Sequence, residues 1–258
     1  MRRRKWPWTV LSLAILAGTW VLLTWQFENG PFVQDLFLPG PLELWDGFVD
    51  LVTTGYKGHS LLAHIGFSLE RVLAGFATGA IAGTLLGLLM GVVPWLDALV
   101  DPFIEFLRPL PQLGYLVLLI VWFGIGETSR IVLLFLAALP VAAVAARSGV
   151  RTVSRQRIQV ARSLGASEWQ IFRYVIFPSS LEEIFTGARL AIGIVYGTLI
   201  AAEIIAGSTG IGWMILDAGR FLRSDYVFVG IGLIGLLGLG LDRVLVSVQA
   251  RTVHWSGK

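Results

Sequence analysis

There is no cysteine in this sequence, which excludes a disulfide framework, a thiolate metal site and a cysteine-borne lipid anchor. Charge is scarce as well. Asp, Glu, Lys and Arg make up 14% of 258 residues, against about 25% in soluble domains. Histidine is scarcer still. His59, His64 and His254 stand apart, none with a partner at metal-ligand spacing, and the residue order suggests no Ser–His–Asp set. No Gly-rich loop ends in Gly-Lys-Ser/Thr, so the chain cannot cradle nucleotide phosphates in that manner.

Apolar sequence takes the place of what is missing. Hydrophobic residues make up 55% of the chain, and the mean hydropathy is +0.75. The runs predict an all-α membrane protein with six spans, at 6–25, 71–93, 113–125 (with an apolar lead-in from Pro102), 130–146, 188–206 and 226–248. The third and fourth are short, and Val121–Ser129 supplies a glycine-rich turn between them. Residues 1–60 read as a first span plus an outer segment, and 61–258 as the main transmembrane unit.

Arg2, Arg3, Arg4 and Lys5 precede the first run. At about 20 residues that run is longer than a signal-peptide core, and no Ala-x-Ala site follows it, so it reads as an uncleaved span. Arg147, Arg151, Arg155, Arg157, Arg162 and Arg173 crowd the link between the fourth and fifth spans, with only Glu168 against them before Pro178. The opposite links carry Lys57, Arg130, Arg220 and Arg223, diluted by acids. The positive-inside rule therefore places the Arg147–Arg173 link and both termini in the cytoplasm of a bacterial inner membrane.

Gly75, Gly79, Gly83, Gly87 and Gly91 recur every four residues and form a slowly drifting stripe on one helix face. Internal helix packing is the favoured reading, with a subunit interface or a pore wall as the alternative. In 27–60, Leu38-Pro39-Gly40-Pro41 is a turn and Leu42–Val52 an interfacial helix on the outer surface. Trp6, Trp25 and Trp95 read as belts at the span ends.

The basic link carries more information. Val153–Leu164 reads as a short helix with Ile158, Ala161 and Leu164 on one face. Gly165 falls where a helix ends in a left-handed residue. Ser167-Glu168-Trp169-Gln170 reads as a capping box opening a second helix, with Trp169, Phe172, Val175 and Ile176 apolar and Pro178 as its stop. The prediction is a helix–glycine–helix knob, within about 148–186, facing the cytoplasm.

The stretch from Gln159 to Pro178 resembles the signature loop of binding-protein-dependent ABC importer permeases: Glu-Ala-Ala, three residues, Gly, nine residues, Ile, one residue, Leu-Pro. Ala161, Gly165 and Pro178 match at that spacing. Gln159, Val160, Val175 and Phe177 depart from it, and a glutamine cannot make the salt bridge a glutamate makes. The stretches 108–111, 121–129, 186–190, 201–206, 210–214 and 218–222, with Val253-His254-Trp255, are similar to the nitrate, sulfonate and taurine branch of that family.

The resemblance implies a non-enzymatic permease for a small sulfonate anion, taurine before aliphatic sulfonates, nitrate or bicarbonate. It implies a homodimer in the lipid bilayer, two ATP-binding subunits that hold the ATP and Mg, and a periplasmic binding protein. It implies no nucleic acid and no cofactor or metal on this chain. Gln159, Ala161, Arg162, Leu164, Gly165, Ala166, Ser167, Glu168 and Pro178 would form or shape the ATPase-docking knob. Glu203, Gly207, Gly210, Gly212, Trp213 and Met214 would belong to the pathway or to a gate over its outer mouth.

Ionisable residues in apolar runs are functional candidates by default. Glu203 is read as structural or gating, Asp242-Arg243 as bonding between helices or snorkelling, Glu70-Arg71 as interfacial, and Arg108 as paired with Glu105. An ion-coupled secondary transporter is the alternative class. It would need coupling-ion residues and repeated halves; no clear inverted repeat is visible, and the knob would have no task.

Overall fold

The computed structural model describes residues 6–25 and 33–253. The basic residues Arg2–Lys5 and the tail residues His254 and Trp255 lie outside the described residues. Among the described residues there is no strand beyond one isolated bridge between Tyr56 and His59. The helices are α1 (Trp6–Thr24), α2 (Pro41–Thr53), α3 (Leu61–Val92), α4 (Pro94–Leu107), α5 (Gln112–Phe123), α6 (Glu127–Arg151), α7 (Arg155–Ser163), α8 (Glu168–Ile171), α9 (Phe177–Ala206), α10 (Ile211–Arg220) and α11 (Ser224–Thr252).

Among the described residues, five helical stretches are long and apolar enough to cross a membrane: Pro7–Thr24, Leu61–Val92, Glu127–Arg151, Glu168–Ile205 and Ser224–Thr252. A sixth exists only if α4 and α5 count as one span, and they are bent by 102°. The expected third span is therefore a broken pair. Its cause is local, because Pro109 and Pro111 each withhold an N–H from the helical ladder. The chain closes the break with a bond from Leu110 N–H to the Leu107 carbonyl (3.3 Å). The expected fourth span, short in sequence, is a full 25-residue helix. The start of α3, ten residues before its apolar run, is set by Ser60, whose Oγ accepts the Ala63 N–H (3.2 Å).

Among the described residues the α3–α6 interface is the largest. The glycine stripe makes it, as internal packing. A Cβ at Gly79 would lie 2.6 Å from the Phe135 carbonyl oxygen, and one at Gly91 2.5 Å from the Val150 Cβ. Gly75, Gly83 and Gly87 press as hard on Leu134, Leu139 and Ala143. Lipid offers helices no hydrophobic gain on association, so contact depends on dispersion between closely set backbones.

The opposite face of α6 meets α9. Gly187 seats against Ala145 and Gly149 against Ser180, while Ala137, Ala138, Ala191, Ile192, Val195 and Leu199 fill the layer between. At the end away from α7, α2, α10 and α11 pack around Leu51, Met214, Tyr226 and Val229.

Gly83→Ala is expected to destabilise the detergent-solubilised protein by about 1–3 kcal/mol, because its Cβ has no room. Gly66 lies in the same helix with nothing within 4 Å of its Cβ position, so Gly66→Ala should be neutral or stabilise by up to about 1 kcal/mol. Thermal unfolding midpoints that fall equally for both would contradict the packing assigned to the stripe.

Candidate functional site

Three regions carry the residues singled out in the sequence. The first is the knob between α6 and α9. Gly165 has φ +83°, in the left-handed region. The Gly165 N–H bonds the Arg162 carbonyl (2.9 Å) and the Ala166 N–H bonds the Ala161 carbonyl (3.1 Å). This is the Schellman closure of a helix end. Ser167 then opens α8: its Oγ accepts the Gln170 N–H (3.3 Å), and Gln170 Oε1 accepts the Ser167 N–H (2.8 Å). A bidentate pair locks the two sides, with Arg162 Nε and Nη2 at 2.9 and 3.0 Å from the Glu168 carboxylate. That pair raises the Arg162 pKa through the hydrogen bond first and the charge second.

The knob is thus rigid, and its apolar tips point outward. Leu164 is 83% exposed, Trp169 68% and Val160 61%. Of the expected apolar face, Ile158 and Ala161 are half-buried and Leu164 is exposed, and no residue of α7 is fully buried. Gln159 is exposed as well.

Pro178 does not end the second helix. Residues 172–176 form a π-helical turn in which the Phe177 N–H bonds the Phe172 carbonyl five residues back. That wider turn carries the chain past the N–H that Pro178 lacks, and α9 runs on to Ala206. The second half of the knob, from Glu168, and the span are one helical body.

The second region lies at the other end of α9. Glu203 is fully buried (0% exposed) and so is Arg71 (2%). Arg71 Nη1 is 2.6 Å from Glu203 Oε1, and Nε and Nη2 reach the Glu127 carboxylate at 2.6 and 2.7 Å. Arg71 also donates to the Thr209 carbonyl (2.9 Å) and hydroxyl (2.8 Å). Arg130 Nη1 pairs with Glu127 Oε1 at 2.7 Å. Glu203 accepts further bonds from Ser68 Oγ and the Gly212 N–H, both 2.8 Å. One guanidinium therefore ties α3, α6, α9 and the loop before α10.

The reading of Glu70-Arg71 as an interfacial pair is corrected by this geometry. Glu70 is exposed while Arg71 is at the centre. The signal was present in Glu203, since a lone acid in an apolar span needs a counterion. Ser68, Glu127 and Thr209 were missed with Arg71, because their partners lie far away in sequence.

The candidate gate residues gather around the same carboxylate. A Cβ on Gly210 would overlap the Glu203 side chain, and one on Gly212 would sit 3.0 Å from its Oε2. Gly207 presses on the Glu203 backbone, and Gly210 also has φ +107°. Trp213 stacks on His64, 6.0 Å between centroids at 13°. His64 is buried, with Nε2 at 3.2 Å from the Tyr56 carbonyl and Nδ1 at 3.2 Å from the Gly210 N–H. Met214 is fully buried in the core. Segment 207–214 is anchored at each of these points. Nearby, the Asp50 carboxyl is held below its usual range, first by the hydrogen bond from the Tyr226 hydroxyl.

The third region is a cavity of about 530 Å³ between the α4–α5 break, α6 and α9. Arg108 lines it while pairing with Glu105 at 3.2 Å, the pairing expected from sequence. Asp242 bonds between helices, its Oδ1 2.8 Å from Arg189 Nε. No cluster of three or more His, Cys, Asp or Glu suited to a metal occurs among the described residues.

The chain matches the family described as "Binding-protein-dependent transport system inner membrane component" over residues 79–254. It is 38% identical to the taurine transport system permease protein TauC of Escherichia coli (strain K12), over 100% of this chain and 95% of that protein. It is 31% identical to the putative aliphatic sulfonates transport permease protein SsuC of Bacillus subtilis (strain 168), covering 98% and 90% of the two. The nitrate import permease protein NrtB of Leptolyngbya laminosa is also 31% identical, with 97% and 88% covered. Among solved structures, the inward-facing MetNI methionine ABC transporter superposes with a TM-score of 0.59 at 21% identity, over 72% of this chain and 95% of that chain. This last likeness is one of fold.

Removing one member of a buried ion pair leaves the other uncompensated, so Arg71→Ala or Glu203→Ala should each cost about 3–5 kcal/mol of stability. The apolar double substitution Arg71→Met with Glu203→Leu should cost less than either single change. Denaturant unfolding of the four proteins in detergent measures this. A double variant that loses as much as either single change, or more, would contradict the coupling.

Proposed function

Because the chain belongs to the family of binding-protein-dependent transport system inner membrane components, we propose that it forms the passage of an ATP-driven importer for a small sulfonate anion, taurine first. The full-length match to a taurine permease at 38% identity supports that choice. The aliphatic sulfonate and nitrate relatives at 31% mark other anions of the branch as the second reading.

The observation that carries the reading is the knob. A turn closed by a Schellman motif, a capping box and a bidentate ion pair holds Leu164, Val160 and Trp169 out in the open. A surface so ordered and so apolar fits a protein partner. In this reading the partner is an ATPase subunit, one beneath each of two permease copies, and ATP and Mg reside there. The excess of arginine around the knob supports a cytoplasmic position for it, and with α4–α5 taken as one span both termini lie on that side in this reading.

Closure of the ATPase pair draws the two knobs together. Each knob is continuous with α9 through the π turn, so its displacement reaches the Glu203–Arg71 cluster at the outer end of the bundle. There Gly207–Met214 borders the mouth to which a binding protein delivers substrate. Residues Gly207, Gly210 and Gly212 serve this arrangement by leaving space for Glu203.

Affinity purification of the permease with its ATPase tests the reading. Wild type should retain the ATPase. A β-branched residue cannot take the left-handed backbone of Gly165 without strain. Gly165→Val should therefore retain at least about tenfold less ATPase, a loss of about 1.4 kcal/mol or more, while still inserting in the membrane. If folded wild type carries no ATPase, a self-sufficient transporter becomes the better account.

A further inference from the structure

The cavity between the α4–α5 break, α6 and α9 holds charges of both signs. Arg108 lines it from the break, and Glu183 from the start of α9, one and a half turns past Pro178. Gln112, Tyr115 and Ser148 share the lining. No hydrogen bond or ion pair among the described residues engages the side chains of Gln112, Tyr115, Ser148 or Glu183. Arg108 gives one nitrogen to Glu105.

Gln112 and Tyr115 lie on α5, Ser148 on α6 and Glu183 on α9, with Arg108 in the break between α4 and α5. Several other charges in the bundle are matched within the chain: Arg71 by Glu203 and Glu127, Arg189 by Asp242, Arg147 by Asp97 and Asp101. Arg108 and Ser148 are exposed and Gln112, Tyr115 and Glu183 half-buried, so these groups face an open cavity and can turn to a polar guest that enters it. A wall carrying arginine alone would suit any small anion. A carboxylate in the same lining disfavours a plain anion and favours a guest with a positive end.

We propose that this cavity is a transient site within the passage for a zwitterion bearing a sulfonate and an ammonium group. Arg108 and Gln112 take the sulfonate oxygens, and Glu183 and Ser148 take the ammonium hydrogens. The proposal rests on the sulfonate-permease reading above and adds to it the means by which the membrane subunit itself distinguishes an amino-sulfonate from a simple one.

The test is uptake by proteoliposomes holding the permease, its ATPase and its binding protein. Taurine, the amino-sulfonate, is compared with ethanesulfonate, which lacks the ammonium. The binding protein's own preference cancels when each variant's ratio is divided by that of wild type. Glu183→Gln should lower the taurine-to-ethanesulfonate ratio about tenfold, the loss of one charge-assisted contact worth about 1.4 kcal/mol. Glu183→Asp should restore most of it. Arg108→Gln should depress uptake of both compounds. Glu182, exposed and outside the lining, is the control, and Glu182→Gln should leave the ratio unchanged.

A wild-type ratio in Glu183→Gln overturns the site and leaves the permease reading intact. Wild-type vesicles that move neither compound overturn the reading and the site together. If Glu183→Gln fails to retain the ATPase, Ser148→Ala carries the same test, with a smaller fall in the ratio expected and no fall overturning the proposal.

Discussion

Two helices in lipid gain nothing from excluding water, so they stay together only where their backbones come close enough for dispersion to add up. In this protein α3 and α6 meet that constraint with glycine on one side and mostly small or backbone atoms on the other. Much of the bundle is built on that pair. The second face of α6 receives α9, again through Gly149 and Gly187, and the end of α9 receives the loop leading into α10. A side chain at a stripe position would push against α6 and strain the contact on which the charge cluster depends.

That cluster sits where the packing would otherwise be weakest, at the end where four segments converge. Arg71 suits the place because a guanidinium offers five donors in a fixed plane. It meets Glu127 with two nitrogens and shares Nη1 and Nη2 with Glu203 and Thr209. A lysine would bring the same charge without that geometry. The glycines of 207–212 belong to this arrangement, since the space their missing side chains leave is taken by Glu203.

What was legible in the sequence was local or periodic. The stripe from Gly75 to Gly91 shows itself by its spacing, and the capping box of Ser167 and Gln170 by four adjacent residues. Both are present in the structure. The Arg71–Glu203 pair was not legible, because its partners are separated by the whole of α6 and nothing near Arg71 distinguishes it from Glu70. The bend between α4 and α5 was hidden by composition, since hydropathy is blind to direction. Pro178 misled for a different reason. Proline ends a helix by default, and the π turn before it is a remedy that no residue type announces. The way the candidate gate residues pack was out of reach for the same reason as Arg71, since it depends on a carboxylate that the fold brings to them.

The unbroken helical body from Glu168 to Ile205 has a mechanical consequence. At 1.5 Å per residue it is a rod of about 55 Å, and a tilt of about five degrees at one end displaces the other by about 5 Å. The bonds that hold Glu203 to Arg71, Ser68 and Gly212 span 2.6–2.8 Å. A swing too small to alter the packing near its fulcrum is therefore large enough, at the far tip, to part every one of those bonds unless α3 and α10 travel with it. The protein is geared so that small angles near the arginine-rich knob become whole bond lengths at the opposite end.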